Sequence, residues 1–208
     1  QTFRKPQQAY PEAVEVKSGK RFAGGDIQQV LSSKKWIGCD LRGVDLRGAD
    51  LRKANLSKSN LSGANLSNAW LTNAILKETN LKSANLEKVN LQGADLKGAN
   101  LENCNLSNAQ LLNVNLMSAN LESTSLKQSE LRDANLSLTK LHRTNLENAS
   151  LYGTILIKAS LKNANLNGAD LRYANLSQAK LNRTDFSNTQ LDFAIMPDGT
   201  TYQGTIPY

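Results

Sequence analysis

The chain has very few of the side chains on which most enzymes depend. Its 208 residues include one histidine, two cysteines and four prolines, and aromatic residues make up only 5%. The longest apolar runs cover a few residues, far short of the eighteen or so that a membrane-spanning helix requires. No Gly-rich phosphate-binding motif occurs. These absences argue against catalysis, nucleotide binding and a transmembrane helix.

A five-residue repeat fills most of the chain instead. Leucine occupies every fifth position from Leu41 to Leu191, and Phe186 is the only substitute among these 31 positions. A small or β-branched residue, such as Ala49 or Thr79, stands two places before each of them. Neither helical spacing nor simple alternation explains this pattern. Because two residues in five point inward, the chain must bend once per pentapeptide and coil into a stack of repeats.

Blocks such as Ala49-Asp50-Leu51 and Ala64-Asn65-Leu66 resemble the A(D/N)LXX consensus of the pentapeptide repeat family. The resemblance implies an all-β fold, a right-handed quadrilateral β-helix with four pentapeptides, and hence twenty residues, in each coil. The repeats would give about eight coils, a tower roughly 37 Å tall at the usual spacing of strands. We expect residues 1–38 to form an N-terminal segment and cap, 39–196 the β-helix, and 197–208 a C-terminal cap or tail.

The ends of such a tower would expose strand edges, and the flanking segments look like caps for them. At the N-terminal side, Lys34 stands where a small residue should precede Trp36, so we expect the regular coil to begin near Cys39. Asp26 is a plausible N-cap of a short helix over residues 27–31.

At the C-terminal side, the segment Met196-Pro197-Asp198-Gly199 predicts a turn that stops the repeat. Beyond it, Tyr202, Ile206 and Tyr208 would supply apolar cover, or equally a dimer contact. A monomer and a dimer joined end to end through the C-termini both remain open.

The two cysteines fall at inward places of the repeat. Cys39 and Cys104 lie 65 residues apart, which is more than three coils and roughly 15 Å along the axis. A disulfide requires Cα atoms within about 7 Å of each other. We therefore expect both to be free, buried replacements for alanine, and we expect neither a metal site nor a cofactor.

The net charge of +7 is unevenly distributed along the sequence. Residues 1–60 carry 12 Lys and Arg against 6 Asp and Glu, whereas residues 61–208 carry 13 against 12. The basic end could dock on an anionic membrane surface or an acidic partner. Alternatively it is a solubilising cap, because an aspartate stands two residues before each of the first three arginines of the repeat. The candidate docking residues are Arg42, Arg47, Arg52, Lys53 and Lys58.

Counting in steps of twenty brings outward apolar residues together in the C-terminal half. At the outward place before the leucine, isoleucine occurs only at Ile75, Ile155 and Ile195, which are separated by multiples of twenty. Contiguous exposed apolar area often marks an interaction site, although single exposed hydrophobes are ordinary and an aromatic column can simply stiffen a wall. The candidate partner-binding residues are Leu138, Tyr152, Ile155, Ile157, Tyr173, Phe193 and Ile195.

We assign no catalytic residue. His142 falls at an outward place, with Glu122 and Lys162 one coil away on either side, which is typical of a solvated charge ladder, and no nucleophile is expected beside it. The sequence therefore predicts a non-enzymatic scaffold that presents rigid walls to a protein partner. The alternative is electrostatic docking through the basic N-terminal end. Specific nucleic-acid binding is not expected, because that end lacks interleaved aromatics.

The family resemblance adds two expectations. Some pentapeptide repeat proteins imitate DNA and bind DNA gyrase, but that mechanism requires negative potential along the rod, which this sequence lacks. Residues 30–41 and 194–200 resemble parts of cyanobacterial and chloroplast thylakoid-lumen relatives, so we suspect a thylakoid-lumen or periplasmic location and leave the cytoplasm open. Gln1 is compatible with a processed and with an engineered start.

Overall fold

The backbone of the repeat pairs with itself at intervals of twenty residues. The computed structural model describes residues 34–204. Within this range there is no helix and no continuous strand, and the coils are joined by single-residue bridges. Apart from one at the C-terminal end, each bridge is parallel and joins a residue to the one twenty positions further on, from Lys35↔Asn55 to Asn175↔Ile195. Lys35 and Ile195 therefore stand in one column eight coils apart, or about 38 Å.

Four bridged residues in each coil divide the tower into four walls. In one coil the bridged residues, in the order of walls 1 to 4, are Asn135, Lys140, Asn145 and Ser150. Two turn residues form a corner between consecutive walls, and each corner is named after the walls that it joins. Tyr152 and Gly153, for example, form part of corner 4–1.

Backbone hydrogen bonds hold each pentapeptide to the coils on both sides. The N–H of Leu116 donates to the carbonyl of Asn135 at 2.8 Å, and the N–H of Asn135 donates to the carbonyl of Val114 at 2.9 Å. The corner closes where the N–H of Ala119 donates to the carbonyl of Leu116 at 2.9 Å. The second corner residue has positive φ, for example 60° at Ser118. Glycine adopts this left-handed conformation without strain, which explains its frequency at this place.

Leucine side chains and small residues fill the interior. The leucines at every fifth position from Leu41 to Leu191 are at most 5% exposed. Where threonine or cysteine replaces alanine, its side chain finds a carbonyl: Thr144 Oγ1 donates to the oxygen of Leu121 at 2.8 Å, and Cys104 Sγ to that of Leu81 at 2.8 Å. No buried side-chain nitrogen or oxygen of residues 34–204 lacks a partner. The interior therefore accepts hydroxyl and thiol groups without an unpaired donor.

The outward Asn and Asp of the consensus have a structural role that their outward position alone does not reveal. The Oδ1 atom of Asn55 accepts the N–H of Ser57 at 3.1 Å, and that of Asp170 accepts the N–H of Arg172 at 3.1 Å. The same bond recurs along the tower and caps the corner that follows. A residue without a side-chain oxygen at this place cannot accept the N–H of the residue two positions later, so the corner is left without this cap.

The N-terminal part of the described tower begins before the expected residue. The bridge Lys35↔Asn55 and the buried side chain of Trp36, which takes the place of a leucine, both precede Cys39. Lys34 is accommodated because its Nζ atom reaches the carbonyl of Arg52 at 3.1 Å. The expected helix over residues 27–31 and its cap Asp26 lie outside the described residues.

The repeat ends in a turn at Met196, as the sequence predicts, and the chain then folds back on wall 1. The N–H of Met196 donates to the carbonyl of Thr200 at 2.7 Å, and Ile195 and Thr201 form an antiparallel bridge. Tyr202 is partly buried and packs against the core. The turn therefore covers the last edge of wall 1. Ile206 and Tyr208 lie outside the described residues.

Both cysteines are free and buried, as expected. Loss of solvation raises the pKa of the Cys104 thiol to about 12, so that it stays protonated at neutral pH. Residues 34–204 hold no group of three or more His, Cys, Asp or Glu that could bind a metal ion. The same part of the chain has no helix that is long and apolar enough to cross a membrane.

We predict that Leu116→Ala lowers the free energy of unfolding by about 2–5 kcal/mol, because it leaves a cavity between two coils. Urea unfolding followed by circular dichroism measures this loss. Gln110→Ala, at an exposed outward place of wall 4, is the control and should change stability by less than about 0.5 kcal/mol. Equal effects of the two substitutions would contradict an interior that depends on leucine packing.

Candidate protein-interaction surface

Outward apolar side chains are confined to one side of the tower. Between residues 35 and 196, every large apolar side chain at an outward or corner place, except Trp70 on wall 4, belongs to wall 1 or to its two corners. These side chains are Ile37, Ile75, Leu112, Met117, Leu138, Tyr152, Ile155, Ile157, Tyr173, Phe193 and Ile195. Most lie in the C-terminal half. We call the seven from Leu138 onward the apolar surface.

Three aromatic rings form a column at corner 4–1. The ring centroids of Tyr152 and Tyr173 are 5.1 Å apart and tilted by 50°, and those of Tyr173 and Phe193 are 4.9 Å apart and nearly parallel. Phe193 is nevertheless 62% exposed and Tyr173 is 51% exposed. Stacking therefore orders the rings while their outer faces remain available for contact.

The remaining members of the apolar surface lie on wall 1 and at corner 1–2. The N–H of Leu138 donates to the carbonyl of Ile157 at 2.9 Å, so these two residues occupy adjacent coils at the corner. Ile155 and Ile195 stand in the column of wall 1 with Asn175 between them. All seven candidate residues thus lie on one wall and the two corners that flank it.

The apolar residues occupy places where they cost stability. Leu138, Tyr173 and Phe193 have φ of 60–62°, and they are the only apolar side chains at the second corner place in residues 38–193. A bulky side chain in this conformation costs of order 1 kcal/mol. Ile155 and Ile195 have no oxygen to cap the following corner, a bond worth about 1 kcal/mol. The fold alone does not explain why these residues stand here.

A polar network borders the aromatic column on wall 4. Arg172 donates two hydrogen bonds to Asp170, at 2.9 and 2.8 Å, and its guanidinium lies 5.7 Å from the centroid of the Tyr152 ring. The hydrogen bond from Arg172 holds the pKa of Asp170 below its ordinary value. Glu130, Arg132 and Ser150 complete a shallow depression at this border. The arginine is fixed in place, so it forms a defined polar rim beside the apolar surface.

The candidate docking residues at the basic end do not share a face. Arg42, Arg47 and Arg52 lie at three successive corners, and each donates a bidentate hydrogen bond to its own aspartate, with Nη2–Oδ2 distances of 2.7 Å. Hydrogen bonding from Arg47 lowers the pKa of Asp45, as expected for a carboxylate in such a pair. Lys53 and Lys58 stand at opposite corners of wall 1. Within the described residues, the positive charge of this end is therefore spread around the tower and largely compensated at the arginines.

His142 has a different neighbour from the one expected. Its Nε2 atom lies 2.6 Å from Ser160 Oγ, whereas Glu122 binds Arg143 at 2.7 Å. The expectation that no nucleophile stands beside the histidine is wrong as to geometry, because the Ser160 hydroxyl occupies the adjacent coil of wall 2. Within the described residues no carboxylate binds the His142 ring, so the third group of a Ser-His-acid arrangement is not present there.

The sequence reasoning missed Trp70. Its side chain is 52% exposed in the column of wall 4, where Asp50 and Asn90 stand in the adjacent coils. The signal was available, because an aromatic residue replaces Asn or Asp at an outward place of the repeat. Trp70 lies in the N-terminal half, away from the apolar surface.

The repeat, its period and its stacking agree with the family comparison. The model for pentapeptide repeats matches in eight copies, which together cover residues 39–197. The chain therefore belongs to the pentapeptide repeat family, whose fold is a right-handed β-helix. Comparison with curated protein sequences gives no match.

Several solved pentapeptide repeat structures are similar to this one. HetL, involved in heterocyst differentiation regulation in the cyanobacterium Nostoc sp. strain PCC 7120, is 26% identical over 88% of this chain and 100% of its own, with a TM-score of 0.44. QnrB1, a plasmid-mediated fluoroquinolone resistance protein, is 17% identical over 76% of this chain and 89% of its own, with a TM-score of 0.59. A protein from the Arabidopsis thaliana thylakoid lumen is 24% identical over 67% of this chain and 70% of its own, with a TM-score of 0.33. The likeness to QnrB1 supports the fold.

We predict that Arg172→Gln raises the pKa of Asp170 toward its ordinary value, because the largest cause of the lowered pKa is the hydrogen bond from Arg172. A carboxylate with a lowered pKa stabilises the folded state above its unfolded pKa, and this contribution disappears as the pH falls through the folded pKa. Carboxyl NMR titration of Asp170 measures the shift. The variant should also lose less stability than the wild type below about pH 4. An unchanged pKa of Asp170 would contradict the pairing.

Proposed function

We propose that this protein is a non-enzymatic scaffold that binds a protein partner through the apolar surface on wall 1. The observation that carries the proposal is that, between residues 35 and 196, every large outward apolar side chain except Trp70 lies on wall 1 or at its corners. A random scatter of exposed hydrophobes would place them on all four walls, whereas an interaction site gathers them. Their positions at strained or uncapped places support a role outside folding.

The rigidity of the wall suits this role. The N–H and the carbonyl of each bridged residue of wall 1 in the C-terminal half both bond to the preceding coil, as Ile155 N does to Ala134 O at 2.9 Å and Leu136 N to Ile155 O at 2.7 Å. A surface that is already ordered loses little conformational entropy when it binds. The aromatic column supplies large, stiff contact area, and Arg172 supplies a polar rim.

Enzymatic activity and gyrase binding have weaker support. The His142–Ser160 pair lies on a flat wall, and the described residues supply no third catalytic group to it. QnrB1 shares the fold at 17% identity, and what it does is not carried over by the fold. Residues 34–204 carry 20 Lys and Arg against 15 Asp and Glu, which opposes imitation of DNA.

Tyr173→Glu and Ile155→Glu should each abolish capture of the partner, because each places a charge at the centre of the contact. The measurement is affinity capture from a lysate of the source cells, with proteins identified by mass spectrometry for each variant. The matched controls are Asn163→Glu, at the same corner place but at corner 2–3, and Ser125→Glu on wall 3, opposite wall 1.

Both controls should retain the partner and the circular dichroism spectrum of the wild type. A partner that survives both wall 1 substitutions at moderate salt, or that is lost equally in the controls, would refute the proposed surface.

The purified protein should not protect DNA gyrase from a quinolone in a supercoiling assay, because the tower has no continuous negative face. Protection at sub-stoichiometric concentration would overturn this expectation and support gyrase binding. QnrB1, as a plasmid-mediated fluoroquinolone resistance protein, is the positive control.

A further inference from the structure

Wall 2 changes its chemistry halfway along the tower. In the N-terminal half its outward amides form a ladder, with Nδ2–Oδ1 distances of 3.2 to 3.5 Å. The members of the ladder are Asn60, Asn80, Asn100 and Asn120. Above it, the column continues through Lys140, Ser160 and Lys180. A lysine has no oxygen to cap the corner or extend the ladder, so the two lysines forgo bonds that asparagine would make.

The corners of wall 2 add three more cations to this half. Lys158 lies at corner 1–2, and Lys162 and Arg183 lie at corner 2–3. Unlike most of the arginines on the tower, these side chains form no hydrogen bond or ion pair with any residue of the described range. We call the five cations the basic face: Lys140, Lys158, Lys162, Lys180 and Arg183.

Carboxylates do not neutralise the basic face. Glu122, one coil below, is bound by Arg143 at 2.7 Å, so this pair contributes no net charge. Asp198 lies above Lys158 at the end of corner 1–2, where it accepts the N–H and hydroxyl of Thr200. Asp185, on wall 3 two residues after Arg183, accepts the N–H and the hydroxyl of Ser187. The surface therefore combines five positive charges with two negative charges at its edges.

We propose that the basic face docks the tower sideways on a membrane surface rich in anionic phospholipids. The wall is flat and its cations are distributed over it, which matches a plane of negative charge. Four of the five are lysines, which act as point charges on flexible stems and suit a diffuse anionic surface. The aromatic column lies on the far side of wall 1, so the basic face offers nucleic-acid bases no stacking platform.

This placement differs from docking through the N-terminal end and is independent of the proposed protein partner. Wall 2 ends at corners 1–2 and 2–3, whereas the aromatic column lies at corner 4–1, at the other end of wall 1. A tower lying on wall 2 would therefore keep the aromatic column away from the lipid. The membrane would orient the scaffold and leave the aromatic column at corner 4–1 accessible.

The test is co-sedimentation of the full chain with vesicles of neutral phosphatidylcholine, with and without 30% phosphatidylglycerol. The wild type should bind only the anionic vesicles, and binding should weaken steeply with added salt. The triple variant Lys140→Gln, Lys162→Gln, Lys180→Gln should bind about 100-fold more weakly, since each lysine near an anionic surface contributes about a factor of five.

The matched control removes the same charge from the other end, as Lys35→Gln, Lys53→Gln, Lys58→Gln. It should weaken vesicle binding by less than about 10-fold, because Lys35 lies on wall 1, Lys53 lies at corner 4–1, and Lys58, at corner 1–2, is five coils away from Lys158 and so beyond the reach of screened charges. A larger loss in the control than in the wall 2 variant would overturn the proposal and place docking at the N-terminal end. Binding to duplex DNA without enrichment on anionic vesicles would overturn it as well.

A reporter on each wall tests the orientation directly. The native cysteines are buried, so a polarity-sensitive fluorophore can be attached selectively to Ser160→Cys on wall 2 or to Ser150→Cys on wall 4. Emission should rise and shift to the blue on anionic vesicles for the first protein only. Equal responses from both, or a response from wall 4 alone, would contradict sideways docking on wall 2.

Discussion

The hydrogen bonds between successive coils are the constraint on which the rest of this structure depends. They join each inward leucine to the coil above and each outward residue to the coil below, as Leu116 and Asn135 illustrate. This registry places residues twenty apart in one column and stacks the leucines inside. Each pentapeptide is too short to bury its own leucine, so stability arises only when neighbouring coils are stacked. Because residues twenty positions apart share a column, the sequence also predicts which outward residues are neighbours on the surface.

Much of the tower could be predicted from the sequence because its period is so regular. The interior places, the free cysteines, the corner glycines and the turn after Met196 all follow from five-residue spacing and from the sizes of the side chains. The start of the coil was less predictable. Trp36 fills a leucine place although Lys34 violates the small-residue rule, because the lysine amine can leave the core and reach a carbonyl.

The charge and the polar contacts of the surface were harder to predict, because they depend on which side chains form ion pairs or hydrogen bonds with each other. Linear counting placed the basic character at the N-terminal end, yet Arg42, Arg47 and Arg52 are each held by an aspartate two residues away. Lys140 and Lys180 lie in a stretch that is nearly neutral by count, and their charges are uncompensated in the fold. The apolar surface could be predicted from the sequence, because residues twenty positions apart stand in one column whatever their side chains. The hydrogen bond between His142 and Ser160 was not, because it depends on side-chain rotamers.

Corner 1–2 has a particular consequence because wall 1 and wall 2 meet there. Leu138 and Ile157 belong to the apolar surface, and Lys158, next to Ile157, belongs to the basic face. Elsewhere the members of the two surfaces lie on different walls or at different corners. At this corner the binding site of a protein partner and that of a lipid headgroup would overlap. Any thermodynamic linkage between the two binding events, favourable or antagonistic, should therefore originate at these three side chains.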